Sequence, residues 1–211
     1  KYCALVCLID AIKHGTTTLF DHHASPNCVE GSLDVICDAY YQTCVRGIVS
    51  YEVTDRYGDL GTTQSINENS RIIKKIETIE ESQRLVNASF GAHAGLTISD
   101  KTLELVKANL PDGYGIHIHV AEDASDEEDS IKKSGLRVNE RLDKYGLIGK
   151  DSILVHGVHL NDKEMEIIRK KEAWITHQPR SNMNNAVGIP DIEKMLELGI
   201  KVCLGNDGFS N

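Results

Sequence analysis

Short apolar runs alternate with longer segments of helical spacing along almost the whole chain. Runs rich in β-branched and apolar residues predict seven strands, at residues 16–23, 46–53, 86–94, 114–122, 152–160, 173–179 and 201–208. Apolar residues at helical spacing predict helices between them, at residues 2–12, 31–43, 64–84, 100–109, 126–145, 162–171 and 190–198. Strands that alternate with helices are typical of βαβ units and a parallel sheet.

The spacing of the predicted strands favours a closed barrel over an open sheet. Successive strands begin about 31 residues apart, which is the repeat of a (β/α)₈ barrel of roughly 250 residues. An open, doubly wound sheet is the alternative, and it predicts a glycine-rich phosphate turn after an early strand. The sequence contains neither GxGxxG nor GxxxxGK[ST]. We therefore expect residues 1–211 to form part of a barrel domain, about strands 2 to 8.

Composition and charge exclude several other classes of protein. The 211 residues include 23 Lys and Arg against 32 Asp and Glu, a formal net charge of −9, which argues against a nucleic-acid module. No apolar run has the length of a membrane span, and no signal peptide opens the chain. The six cysteines form no CxxC pair, so we expect reduced thiols and a cytoplasmic location. Because Lys1 enters an apolar helix directly, we expect a piece of a longer protein.

The histidines are concentrated in the predicted strands. Eight of the nine lie in these strands or at their ends: His22, His23, His93, His117, His119, His156, His159 and His177. Asp207 lies near the end of the last strand. Because barrel active sites are built at the carboxyl ends of the strands, this pattern predicts a site there.

Imidazole and carboxylate together are ligands for a divalent ion such as zinc in a hydrolytic site. His119 and Glu122 are three residues apart at one strand end, close enough to share a site if the chain turns there. A carboxylic acid beside an activated water can carry protons between the nucleophile and the leaving group. The residue types and their positions at the strand ends therefore predict a metal-dependent hydrolytic site.

Several motifs resemble one family of hydrolases. IHIHVAED, ILVHGVHL, HQPRSN and LGNDG, in this order, are similar to the deaminase and chlorohydrolase branch of the amidohydrolase superfamily. DHHASP, GAHAGLTISD and RSNMNNAVG most resemble its SsnA-type aminohydrolases. The resemblance implies an α/β fold, the TIM-like (β/α)₈ barrel of metal-dependent hydrolases, here a fragment without the first strand and the flanking β-domain.

The resemblance also implies roles for the metal ligands and the catalytic residues, and for His93 as a residue that faces the substrate. His119 and Asp207 would bind one divalent metal, zinc in the first place and iron as the alternative. Glu122 would be the proton shuttle, His156 would orient the attacking water, and Asp207 would take its proton. The predicted substrate-binding residues are His93, Arg180, Asn182 and His22.

The first-strand HxH pair that completes the metal site of this superfamily is missing from the sequence. His117 and His119 have that spacing, but the resemblance places them on the fifth strand. We expect His22 and His23 to line the pocket rather than bind the ion. The metal site of the fragment is thus expected to be incomplete, and the fragment alone to bind metal weakly and to be inactive.

The resulting hypothesis is a hydrolase of C–N bonds other than peptide bonds that deaminates a purine-like or pyrimidine-like heterocycle. The alternatives are a chlorohydrolase or cyclic-amide hydrolase of the same superfamily, and a non-catalytic barrel with a binding role. A small heterocyclic substrate is the expected partner, with no nucleic acid and no membrane. The full-length protein is expected to form homo-oligomers.

Overall fold

A computed structural model describes residues 1–208. Its strands are β1 (Thr18–Phe20), β2 (Arg46–Val49), β3 (Val86–Ala88), β4 (Phe90–Ala94), β5 (Ile116–Val120), β6 (Ile153–His156), β7 (Trp174–His177) and β8 (Lys201–Leu204). Its helices are α1 (Tyr2–Lys13), α2 (Ser32–Thr43), α3 (Gly58–Glu77), α4 (Asp100–Asn109), α5 (Ala124–Ser134), α6 (Val138–Lys144), α7 (Asp162–Lys170), α8 (Pro179–Asn185) and α9 (Ile192–Glu197). Among these described residues, no helix is long and apolar enough to cross a membrane.

The chain divides into two compact units, Lys1–Gly91 and Ala92–Asn211. In the first unit, β1, β2 and β3 form a sheet in that order, with both pairs parallel. Its core includes Leu33 and Tyr40 of α2 and Ile73 of α3, all less than 2% exposed. Asn69 of α3 accepts from the backbone N–H groups of Tyr51 and Gly91, so it joins the segments that follow β2 and β3.

The second sheet has the order β4-β5-β6-β7-β8. The pairs β5–β6, β6–β7 and β7–β8 are parallel. The apolar positions of β5, Ile116, Ile118 and Val120, are fully buried, and His117 and His119 therefore share the opposite face of the strand. Because the strands are parallel, the carboxyl ends of β5, β6 and β8 lie along one edge of this sheet. The polar residues at that edge form the candidate site.

Two predicted elements are each divided in the structure. The single predicted strand 86–94 is β3 and β4, which belong to different sheets. The predicted helix 126–145 is α5 and α6, because Gly135 ends α5 in the left-handed conformation with φ 73°. The predicted strands also extend too far. Glu122 lies beyond the end of β5, and His159 lies beyond β6, after Gly157 at φ 62°.

Candidate metal centre

Two histidines and an aspartate meet at the carboxyl edge of the second sheet. His119 lies near the end of β5, His156 ends β6, and Asp207 follows β8. One potential ligand atom from each of the three lies within 4.8 Å of the others. Glu122 joins them, with its Oε2 3.5 Å from His156 Nε2. Three different strands thus place four polar side chains in one cluster.

His119 has the orientation and tautomer of a metal ligand. Its Nδ1 lies 2.6 Å from the His93 carbonyl oxygen, which only accepts, so Nδ1 donates and Nε2 keeps its lone pair in the neutral ring. Nε2 lies 3.6 Å from Asp207 Oδ1. Burial disfavours the charged ring, but Asp207 and the His93 carbonyl outweigh it and raise the pKa of His119 above its usual value.

His156 is fully buried, and its two ring nitrogens have different surroundings. Nδ1 lies 2.8 Å from Asn182 Oδ1, which fixes the ring. Nε2 is buried without a hydrogen-bond partner and lies 3.8 Å from Asp207 Oδ2. Burial, the largest effect, lowers the pKa of His156. A neutral imidazole nitrogen left without a partner between two carboxylates suits a bound cation or a bound water.

Asp207 is held as a carboxylate. Ser181 Oγ donates to its Oδ2 at 2.5 Å. Burial alone would raise the pKa of Asp207, but its interactions with the His119 ring and the Ser181 hydroxyl hold this pKa below its usual value. A carboxylate beside a neutral imidazole is a donor set that zinc and iron both accept. The residues present therefore fit a divalent ion.

Helix α8 contacts three members of the cluster. Ser181 donates to Asp207, Asn182 accepts from His156, and Asn185 Nδ2 donates to Glu122 Oε1 at 3.3 Å. The apolar pattern does not predict this helix, because it predicts a strand up to residue 179. Its signal was Pro179, since proline suits the first turn of a helix and the polar residues follow it directly.

Backbone strain is concentrated at the same edge. Ala121, His156 and Asp207 are non-glycine residues with positive φ, at 49°, 71° and 60°. Such conformations cost about 1–3 kcal/mol each and persist where the surrounding structure imposes them, often at functional sites. Here they turn the chain directly after β5, at the end of β6 and after β8, which brings the four side chains together.

The other predicted site residues lie at different distances from this cluster. The His93 ring centroid is 5.5 Å from that of His119, and His93 Nδ1 lies 2.7 Å from Thr97 Oγ1. Arg180 is exposed at the start of α8. Asn182 is only 2% exposed and contacts His156, which favours a positioning role over the predicted contact with substrate. His22 follows β1 in the first unit, and its role stays a prediction.

His117 lies on the same face of β5 as His119, as the alternation of the strand predicts. It is 6% exposed, and burial lowers its pKa to about 3. His117 is therefore neutral near physiological pH.

A parallel α/β fold with imidazole and carboxylate groups at the strand ends is typical of metal-dependent hydrolases. The sequence model that describes the amidohydrolase family matches residues 1–211, so the chain belongs to that family. The narrower resemblance to SsnA-type aminohydrolases stays a prediction.

Curated relatives are named as deaminases. The chain is 34% identical to a 5'-deoxyadenosine deaminase of Methanopyrus kandleri over 213 residues, covering 100% of this chain and 47% of that protein. It is 33% identical to a 5-methylthioadenosine/S-adenosylhomocysteine deaminase of Thermococcus sibiricus, covering 99% and 47%. The chain thus spans about half the length of the curated relatives that it matches.

Solved structures confirm the predicted fold class. An adenosine deaminase from Xanthomonas campestris with bound zinc superposes with a TM-score of 0.82 at 22% identity, covering 98% of this chain and 45% of that one. A zinc complex of atrazine chlorohydrolase from Arthrobacter aurescens gives 0.84 at 19%, covering 97% and 49%. The fold is therefore that of the amidohydrolase barrels.

Proposed function

We propose that the protein containing this chain is a metal-dependent hydrolase that deaminates an adenosine-like heterocycle. The observation that carries the proposal is the convergence of His119, His156, Asp207 and Glu122 at one sheet edge. The names of the relatives support the deamination of an adenine ring in particular.

His119 and Asp207 would hold the ion, which we propose to be zinc because two similar solved structures contain it. The bound ion would supply a water nucleophile at neutral pH by lowering the pKa of that water to about 7. His156 Nε2, which has no hydrogen-bond partner, would orient the attacking water. Asp207 would accept the proton that this water loses.

Glu122 would move the remaining protons. Water adds to the ring carbon that carries the amino group, and Glu122 protonates the adjacent ring nitrogen. Glu122, now a carboxylate, takes the proton of the new hydroxyl group and passes it to the amino group as the C–N bond breaks, so that ammonia departs. The proton held by Asp207 then returns to Glu122 and restores both groups. The products are a ring carbonyl and ammonia, so atoms and charge balance. Asn185, which donates to Glu122 Oε1, would orient this carboxyl group.

The decisive experiment measures ammonia release and metal content together in the full-length protein. We expect release from adenosine derivatives such as 5'-deoxyadenosine, loss of this activity on chelation, and its return with zinc. His119→Ala should lose the metal, whereas His156→Ala should keep it and lose turnover. Metal-bound protein that releases no ammonia from purines or pyrimidines would contradict the proposal, and chloride release from a chlorotriazine would favour the chlorohydrolase alternative.

Arg180 is proposed to bind a carbonyl or anionic group of the substrate, because a guanidinium group suits such groups and the side chain is exposed on α8. Arg180→Ala should raise KM about tenfold and leave kcat within about twofold, the result expected when an interaction made equally in the ground state and the transition state is lost. Steady-state kinetics with the best substrate checks this, with Arg169→Ala as the exposed control. An unchanged KM would remove the role.

We further propose a cellular location for the protein. The cysteines of the described chain are all free, which supports a reducing, cytoplasmic location. Homo-oligomer formation by the full-length protein stays a prediction.

A further inference from the structure

One buried carboxylate joins two segments that carry site residues. Asp126, in the first turn of α5, is 5% exposed. Its Oδ1 accepts from the backbone N–H of Leu96 at 3.1 Å, and its Oδ2 accepts from the backbone N–H of Ala121 at 2.7 Å. Leu96 follows β4, and Ala121 follows β5. The two oxygens of a single side chain therefore hold two separate loops.

The segment on the Ala121 side contains the proposed proton shuttle. Ala121 has a left-handed φ of 49°, which a non-glycine residue adopts only under constraint, and Glu122 comes next. The bond to Asp126 supplies this constraint, since it fixes the N–H group of Ala121. The bond to Asp126 thus fixes the backbone directly before Glu122, and with it the direction in which the Glu122 side chain leaves the backbone.

The segment on the Leu96 side begins just after His93, whose carbonyl oxygen fixes the ring of His119. Arg141 donates to the carbonyl oxygens of Gly95 and Ile98 at 3.0 and 2.9 Å. The segment is therefore anchored through both its carbonyl groups and its N–H group.

Residue 95 must be small for this arrangement. A Cβ atom at Gly95 would lie 3.3 Å from Asp126 Oδ1 and 3.2 Å from Val138 Cγ1, closer than ordinary contact distances. Glycine at this position therefore lets the carboxylate reach the backbone of both loops.

We propose that Asp126 is a positioning residue that holds Glu122 in register with His156 and Asp207 by bonding the loops after β4 and β5 together. The proposal rests on the function proposed above. It requires a carboxylate, because both backbone groups donate and a side chain with two acceptor oxygens satisfies both. An amide in its place would turn an N–H₂ group toward one of the two donors.

The test compares Asp126→Asn with Glu128→Gln in the full-length protein, since Glu128 is exposed on the same helix and loses the same charge. We expect Asp126→Asn to lower kcat about 10- to 100-fold, the range for misplaced site groups, with KM within threefold and metal content unchanged. Asp126→Glu, which restores two acceptor oxygens, should recover at least part of the turnover. Hydrogen exchange at the Leu96 and Ala121 amides should accelerate in Asp126→Asn alone.

Gly95→Ala provides a second variant that keeps the carboxylate and crowds it. Like Asp126→Asn, it should lower kcat, while KM and metal content stay unchanged. Equal kcat in Asp126→Asn and Glu128→Gln would overturn the proposal. The proposal would also be overturned if Asp126→Asn and Gly95→Ala both lost bound metal and showed a raised KM together with the lower kcat. Failure of the proposed function itself would appear differently, as absent ammonia release in the wild type, and amide exchange would still test the loop contacts.

Discussion

Glu122→Gln in the full-length protein should lower turnover by about 10²- to 10⁴-fold, the usual contribution of a general acid or base. Glutamine has nearly the shape of glutamate and keeps an oxygen for the bond from Asn185. It cannot carry a proton to the ring nitrogen or to the leaving ammonia. Because Glu122 is not one of the proposed ligands, metal content should not change. Steady-state ammonia release and metal analysis of the same preparation measure both quantities.

Glu104→Gln is the matched control, because Glu104 is exposed on α4 and loses the same charge. Its turnover should equal that of the wild type. Retention of more than about a tenth of the activity by Glu122→Gln would show that this carboxyl group is not the proton carrier.

Arg141→Met should reduce the free energy of unfolding by about 2–6 kcal/mol, because two buried backbone carbonyl groups lose the donor that satisfies them. Arg141 is 2% exposed and donates to Gly95 O, Ile98 O and Asp100 Oδ1. Without the guanidinium group, two backbone carbonyls lose their donor inside the protein, at about 1–3 kcal/mol each. The midpoint and slope of denaturant unfolding measure the loss.

Arg169→Met serves as the comparison. Arg169 pairs with Glu166 on α7, and both side chains are at least 40% exposed. Pairs of this kind contribute little to stability, because water screens both charges. An Arg141→Met protein as stable as Arg169→Met would mean that other groups satisfy the two carbonyls.

The alternation of strands and helices was predictable because each element has its own hydrophobic period. The carboxyl-end location of the site followed from the parallel strands and needed no further information. The division of strand 86–94 was not predictable, since the choice between two sheets depends on pairing with distant residues. Ser89 separates β3 from β4, and a single serine does not interrupt the apolar pattern enough to predict a break between two strands.

That the charged and imidazole residues would lie close together was predictable from sequence, because the carboxyl ends of parallel strands meet at one edge of the sheet. Their catalytic roles stay predictions. The residues that orient them were missed. Ser181, Asn185 and Asp126 are ordinary helix residues by composition, and their contacts join elements that lie far apart in the chain. Side chains that act through tertiary contacts have no local signature.

The contacts of α8 suggest how a variant library should be designed. Its buried positions, Ser181 and Asn182, and its Asn185 each contact a different residue of the candidate metal centre. Arg180 and Met183 are exposed, Met183 at 68%. Randomising these two exposed positions while the other three stay fixed would vary what the helix presents to a ligand and preserve the chemistry behind it. If the proposed function is correct, substrate range could then be changed within one short helix without altering the proposed catalytic residues.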